Sequence, residues 1–121
     1  MNRSQSTNDV YPTAIKLAMV MGVNRLLAEH ERLRASFAAK GREFNGILKI
    51  GRTQMQDAVP MTLGQEFGAF AASLRQELAG LHRTRGDLRV LNLGGTAIGT
   101  GLNTPKGYRE RAIRHLCEVT G

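Results

Sequence analysis

The sequence has no tryptophan and a single cysteine, and only 5% of its 121 residues are aromatic. One thiol, Cys117, excludes an intramolecular disulfide, so nothing asks for an oxidising compartment and the cytoplasm is the default. With few rings, a core must be built from Leu, Ile, Val, Met and Ala, which favours an all-helical domain. Long apolar runs are missing as well. The longest nearly uncharged stretch, Thr13 to Val23 with Lys16 inside it, falls short of the roughly 20 residues a membrane span requires and reads as a buried helix. The opening MNRSQSTND lacks the hydrophobic region of a targeting peptide, and the sequon at Asn2, Arg3 and Ser4 carries little weight without a secretory signal. Membrane partners are therefore not expected.

Metal and nucleotide chemistry find little support. His30, His82 and His115 lie far apart with no Cys or carboxylate at ligand spacing. Gly94 and Gly99 have the spacing of a phosphate loop, but Thr100 and Gly101 stand where Lys and a hydroxyl residue belong. The expectation is no metal, no cofactor, and a tight connection between helices at Gly94–Gly101. Lysine and arginine outnumber acidic residues 17 to 10, a net charge of +7. The basic residues are dispersed, among them Arg25, Arg32, Arg34, Arg42, Arg52, Arg75, Arg83, Arg85 and Arg89, without a basic run or a nucleic-acid reader motif. A solvated basic face is expected, with no nucleic-acid partner; a noncatalytic basic helical binding module is the alternative from another class.

Of the residues present, 41% are hydrophobic, which suits one domain with a real core. Four helices can be read. The first starts near Asn8 or Asp9, with Pro12 close to its first turn, and is apolar around most of its circumference from Ala14 to Leu27. The second runs from about Glu31 to Lys49 with Leu33, Phe37, Phe44 and Leu48 on one face, interrupted at Lys40 and Gly41. Gly51 to Met61 has no helical period and reads as a loop or extended segment. Thr62 and Gln65 then fit a capping box, and the apolar face that follows holds from Leu63 to Leu91, a length that calls for a long bundle or an oligomer. Gly94 and Gly95 end that helix. A fourth begins with Thr104 as N-cap and Pro105 as its first residue.

Two polar clusters interrupt this pattern. Ser4 to Asp9 places hydroxyls and amides directly before a helix N-terminus, where free N–H groups favour a carboxylate. Arg52, Thr53, Gln54, Gln56 and Asp57 fall in the break between two apolar helices. By composition alone each is compatible with a polar turn.

The order of these clusters resembles the fumarase and aspartase superfamily. SQSTNDVYPTAIKLA is similar to its first signature, KIGRTQMQDAVPMTLGQEF to its second, and LGGTAIGTGLNTPKGY to a third stretch typical of its members, together covering nearly the whole chain. Gln54 stands where fumarases carry His, and Ser6-Thr7-Asn8 has the Ser-Thr form of aspartases, so the aspartate ammonia-lyase branch is implied ahead of the class II fumarases. The resemblance implies an all-α fold, with residues 1–121 forming part of the long antiparallel bundle of the central helical domain and no second domain. It implies reversible elimination of ammonia from L-aspartate to give fumarate, through an aci-carboxylate whose charge preorganised donors stabilise.

By the same resemblance Ser6 and Thr7 hold the reacting carboxylate, Asn8 lies near the substrate amino group, and Thr53 and Gln54 contact the amino group and the other carboxylate. Gln54 cannot titrate, so it would bind and orient substrate without transferring a proton. The family's catalytic base is a Ser on a glycine- and serine-rich loop, and no such stretch occurs here. No catalytic residue is therefore expected in this chain, which by itself should be inactive. The family's homotetramer gathers each site from three subunits, and its partner is a dicarboxylate.

Overall fold

No glycine or proline interrupts the sequence from Val23 to Lys40, and the run is rich in strong helix formers. In the computed structural model, which describes residues 4–121, these residues continue one helix where the sequence predicted two: α1 spans Thr7–Glu43. The predicted break before Glu31 is bridged by the ion pair of Arg32 with Glu29, one turn apart, and the pair of Arg34 with Glu31 follows directly after it. The Arg34 hydrogen bonds also hold the Glu31 carboxyl below its usual range. At 37 residues, α1 is about 55 Å long at the ordinary helical rise. Asn2 and Arg3 of the sequon lie outside the described residues.

The remaining elements are β1 (Leu48–Thr53), β2 (Gln56–Thr62), α2 (Leu63–Asp87) and α3 (Tyr108–Thr120). The fold is mostly helical, as expected, with one antiparallel hairpin, β1 with β2, in the stretch that the sequence marks as a loop or extended segment. The second predicted helix does not reach Lys49: Asn45 and Gly46 turn the chain, and Leu48 opens β1. The chain divides into two compact units, one formed by the N-terminal part through Gly22 together with Arg85–Gly121, the other by Val23–Thr84.

In the Val23–Thr84 unit, α1 and α2 run antiparallel. Their contact is built from all four phenylalanines of the chain: Phe37 meets Phe67 and Phe70, and Phe44 meets Phe67, with ring centroids 5.3–5.7 Å apart. The tilted and edge-on geometries are those favoured by the ring quadrupole. Beside them the backbones meet at glycines: a methyl placed on Gly64 would lie 2.6 Å from the Asn45 Cα, and one on Gly41 would lie 3.2 Å from the Gly68 nitrogen. Gly41, a gap in the predicted apolar face, is thus the point of close helix approach.

The start of α2 follows the predicted capping box. Thr62 N–H donates to Gln65 Oε1 at 2.9 Å and Gln65 N–H donates to Thr62 Oγ1 at 3.1 Å. Thr62→Ala removes one of these bonds and is expected to lower stability by about 1 kcal/mol, read from the midpoint of urea denaturation. A change under a few tenths would show that the cap adds nothing in this setting. Lys49 of β1 pairs with Glu66 in the first turn of α2 at 2.7 Å, tying the hairpin to the helix it feeds.

In the other unit, α2 ends at Asp87, short of the predicted Leu91, in a turn closed by Arg89 N–H to the Gly86 carbonyl. Lys16 explains its own place in an apolar helix: Nζ donates to the Val90 carbonyl at 2.6 Å. The glycine-rich connection is tight, as expected. Gly99 and Gly101 N–H both donate to the Gly95 carbonyl at 3.0 Å. Gly94 has φ 84, and a methyl there would meet the Arg109 Cβ at 2.9 Å. The fourth helix is shorter than predicted. Thr104 does not cap it; its hydroxyl donates back to the Gly101 carbonyl at 2.6 Å, and Gly107, with φ 74, starts α3 instead.

The core is thinner than the composition suggested. Among the described residues only Leu27 and Ala71 are buried hydrophobics, whereas Val10, Tyr11, Ile15, Met19, Met21, Leu26, Leu33 and Phe70 are exposed. The Thr13–Val23 stretch, read as a buried helix, buries Thr13 alone. An apolar helix face this extensive exceeds what this chain supplies to cover it. Among the described residues, no helix is long and apolar enough to cross a membrane.

Candidate functional site

The first polar cluster is arranged by the N-terminus of α1. Ser6, not Asn8 or Asp9, is the N-cap: its carbonyl accepts the first helical bond, from Val10 N–H at 3.0 Å, and its Oγ accepts from Asn8 N–H at 3.2 Å. Because the helix begins at Thr7, Pro12 lies beyond the first turn and cannot donate to the Asn8 carbonyl. The Ser6 cap uses only a lone pair of the hydroxyl, so the Ser6 O–H remains available as a donor.

Asp9 completes the turn. Its Oδ1 accepts from Ser6 N–H at 3.0 Å, a reciprocal cap of the Ser-x-x-acid kind. Its Oδ2 accepts from Thr96 N–H at 2.9 Å across 87 residues of sequence. Asn8 Nδ2 donates to the Ala97 carbonyl at 2.9 Å, and Ser4 Oγ donates to the Asn103 carbonyl at 3.0 Å. Three side chains of the cluster therefore latch α1 onto the glycine-rich connection. A local cap was legible in the sequence. The long-range latch was not, because nothing in the local spacing marks Thr96 as a partner.

These latches frame an open cavity of about 840 Å³, with Ser4, Gln5 and Ser6 on one wall and Thr96, Ala97, Asn103 and Tyr108 on the other. Asn8 lines an adjoining cavity of about 500 Å³ with Gly95, Thr96 and Arg109. Thr7 lines neither, and instead borders a depression shared with Gln5, Ser6, Val10, Tyr11 and Ala14. Ser6 thus borders two of these spaces and Thr7 and Asn8 one each, and none of the three spaces is lined by all three residues. Asp9 also occupies part of the positive N-terminal field that the sequence reading left open to a ligand.

The second cluster sits in the other unit, on the hairpin. Arg52 pairs with Asp57 across the strands at 3.2 Å, and Thr53 faces Gln56. Gln54 and Met55 form the two-residue turn with φ 49 and 63, a double left-handed geometry that usually recruits Asn-Gly. Thr53 and Gln54 are exposed on this tip. Non-glycine residues in this conformation carry backbone strain, which is commonly found where side chains at a turn serve a ligand. Among the described residues, no group of three or more His, Cys, Asp or Glu side chains gathers where a metal could be held.

Comparison with known proteins supplies the wider frame. The Lyase family model matches residues 1–121. The chain is 55% identical to the aspartate ammonia-lyase of Pseudomonas aeruginosa, over all of this chain and 26% of that protein. The crystal structure of fumarate lyase:delta crystallin from Brucella melitensis superposes with a TM-score of 0.92 at 56% identity, covering 99% of this chain and 26% of that one. The class II fumarase of Schistosoma mansoni gives a TM-score of 0.91 at 39% identity, over 98% of this chain and 25% of that one. The chain thus spans about a quarter of the length of the relatives it matches. It belongs to the lyase family, within the fumarase and aspartase superfamily, and is similar along its whole length to one segment of the aspartate ammonia-lyases.

Proposed function

We propose that this chain is the substrate-gripping segment of an aspartate ammonia-lyase that eliminates ammonia reversibly from L-aspartate to give fumarate. The observation that carries the reading is 55% identity to such an enzyme across the entire chain. In the reaction a base takes a proton from the carbon next to one carboxylate, and the carbon–nitrogen bond on the neighbouring carbon breaks. Negative charge collects on that carboxylate, so donors fixed in advance lower the barrier. Ser6 and Thr7 supply such hydroxyls, Asn8 an amide near the amino group, and Thr53 and Gln54 contacts to the amino group and second carboxylate.

Ser6 and Thr7 border one depression at the α1 N-terminus, whereas Asn8 lines a separate cavity. A site assembled from several copies of the chain resolves this, with each copy offering different residues to different sites. The uncovered apolar faces of α1 suit the same arrangement, a cytoplasmic homotetramer in which this segment belongs to the central helical domain. The +7 charge favours capture of a dicarboxylate. The base serine belongs to a segment outside these residues.

The test follows fumarate absorbance with L-aspartate as substrate, comparing the full-length enzyme with the 121-residue chain. Turnover by the former and none by the latter is expected; clear turnover by the short chain would overturn the placement of the base. A fumarase is the second reading, favoured by the 39% identity to a class II fumarase. Malate formation from fumarate outpacing aspartate elimination would establish it. A basic binding module without catalysis would show instead a steeply salt-dependent affinity for nucleic acid.

A further inference from the structure

Asp9 is the one side chain among the described residues that is fully buried, at 1% exposure. It takes part in no ion pair among them; its two oxygens are met by backbone N–H groups of Ser6 and Thr96. A charge removed from water this completely is costly unless its bonds do something a neutral group could not. Here they join two chain segments that both line one cavity, Ser6 from one segment and Thr96 from the other. Thr96 supplies an independent sign. It is 6% exposed and has φ 57, a conformation in which a β-branched residue is a genuine outlier. Such a conformation persists only where the surroundings fix it, and the Asp9 Oδ2 bond falls on the Thr96 nitrogen itself.

We propose that Asp9 is a positioning residue for the carboxylate-binding wall. By accepting from Ser6 and Thr96 together, it holds the Ser6 hydroxyl in register with the Thr96–Ala97 wall, so that a substrate carboxylate meets a donor already in place. The proposal rests on the reading of Ser6 as a carboxylate donor. The Asp9 carboxylate contacts neither substrate nor a reacting atom; it acts through Ser6.

The experiment uses the full-length enzyme with Asp9→Asn, Ser6→Ala and the double variant, each assayed for kcat and KM with L-aspartate. Asparagine keeps one acceptor but turns an NH2 toward the other backbone N–H, opening one side of the latch. Asp9→Asn is expected to lower kcat/KM about 100-fold, the effect of misplacing a donor by roughly 1 Å. Because Asp9 acts through Ser6, the double variant should fall within about 2-fold of Ser6→Ala alone. A purely structural residue would give losses that multiply, and that result, or an Asp9→Asn enzyme near the parental kcat/KM, overturns the proposal. Parental rates in Ser6→Ala would instead remove the reading of Ser6 on which it depends.

Should Asp9→Asn not fold, the same change is made with Thr96→Gly, since glycine adopts the left-handed conformation freely and no longer needs the latch to sustain it. A folded Asp9→Asn/Thr96→Gly enzyme with kcat/KM well below that of Thr96→Gly supports the proposal. One that equals Thr96→Gly, or still fails to fold, shows Asp9 to be a fold determinant only.

Discussion

Ser6→Ala in the full-length enzyme is expected to lower kcat for L-aspartate by about 100- to 1000-fold, the cost of removing one donor from a developing oxyanion. Ser6 has two jobs at the start of α1, and their magnitudes separate them. As N-cap it accepts from Asn8 N–H at 3.2 Å, and losing that bond costs about 1 kcal/mol of stability. As donor to the aci-carboxylate it supplies about 3 kcal/mol of barrier reduction. The two show in different measurements, thermal denaturation for the first and turnover for the second.

Thr53→Val provides the cleaner companion. Thr53 is exposed on the hairpin, and its hydroxyl takes part in no hydrogen bond among the described residues, so valine removes the hydroxyl at nearly constant shape. Its activity should fall sharply while its denaturation midpoint stays put. Wild-type turnover in both variants would remove the site assignment.

The largest expected effect on stability belongs to Gly64→Ala. Glycine is required here because α1 and α2 meet backbone to backbone: a methyl on Gly64 would sit 2.6 Å from the Asn45 Cα and 2.7 Å from its nitrogen, and closest of all to the Gly41 carbonyl oxygen. None of these atoms belongs to a side chain that can swing away. The helices must separate, loosening the phenylalanine cluster beside them, at a cost of about 3 kcal/mol. Gly68→Ala is the control, one turn along the same helix with nothing within 4 Å of the added methyl. There alanine should stabilise by up to about 1 kcal/mol through helix propensity. Equal denaturation midpoints for the two variants would rule out the close approach.

Where the sequence reading and the structure diverge, a longer-range contact or a competing local bond decided the outcome. Thr104 and Pro105 have the chemistry of a helix start, yet the Thr104 hydroxyl bonds the Gly101 carbonyl and the helix waits for Gly107. The joint expected near Glu31 rested on a change in the apolar face alone, with no breaker residue, and a run of helix formers carried α1 through it. The apolar side chains of Thr13–Val23 call for burial, yet Ile15, Met19 and Met21 are exposed, because burial depends on what packs against the helix and not on its own composition.

The sequence by itself determined what depends on neighbours three or four residues away: the capping box at Thr62 and Gln65, the extended break at Gly51–Met61, the mostly helical class and the superfamily motifs. These are set by local backbone bonding and side-chain spacing, which a linear reading captures. Only the tertiary structure decided that Asp9 reaches Thr96, that Gly41 and Gly64 bring two backbones into contact, and that Asn8 lines a different cavity from Ser6 and Thr7. Each depends on where the folded chain returns upon itself or on where the helix starts, and spacing along the sequence does not record either.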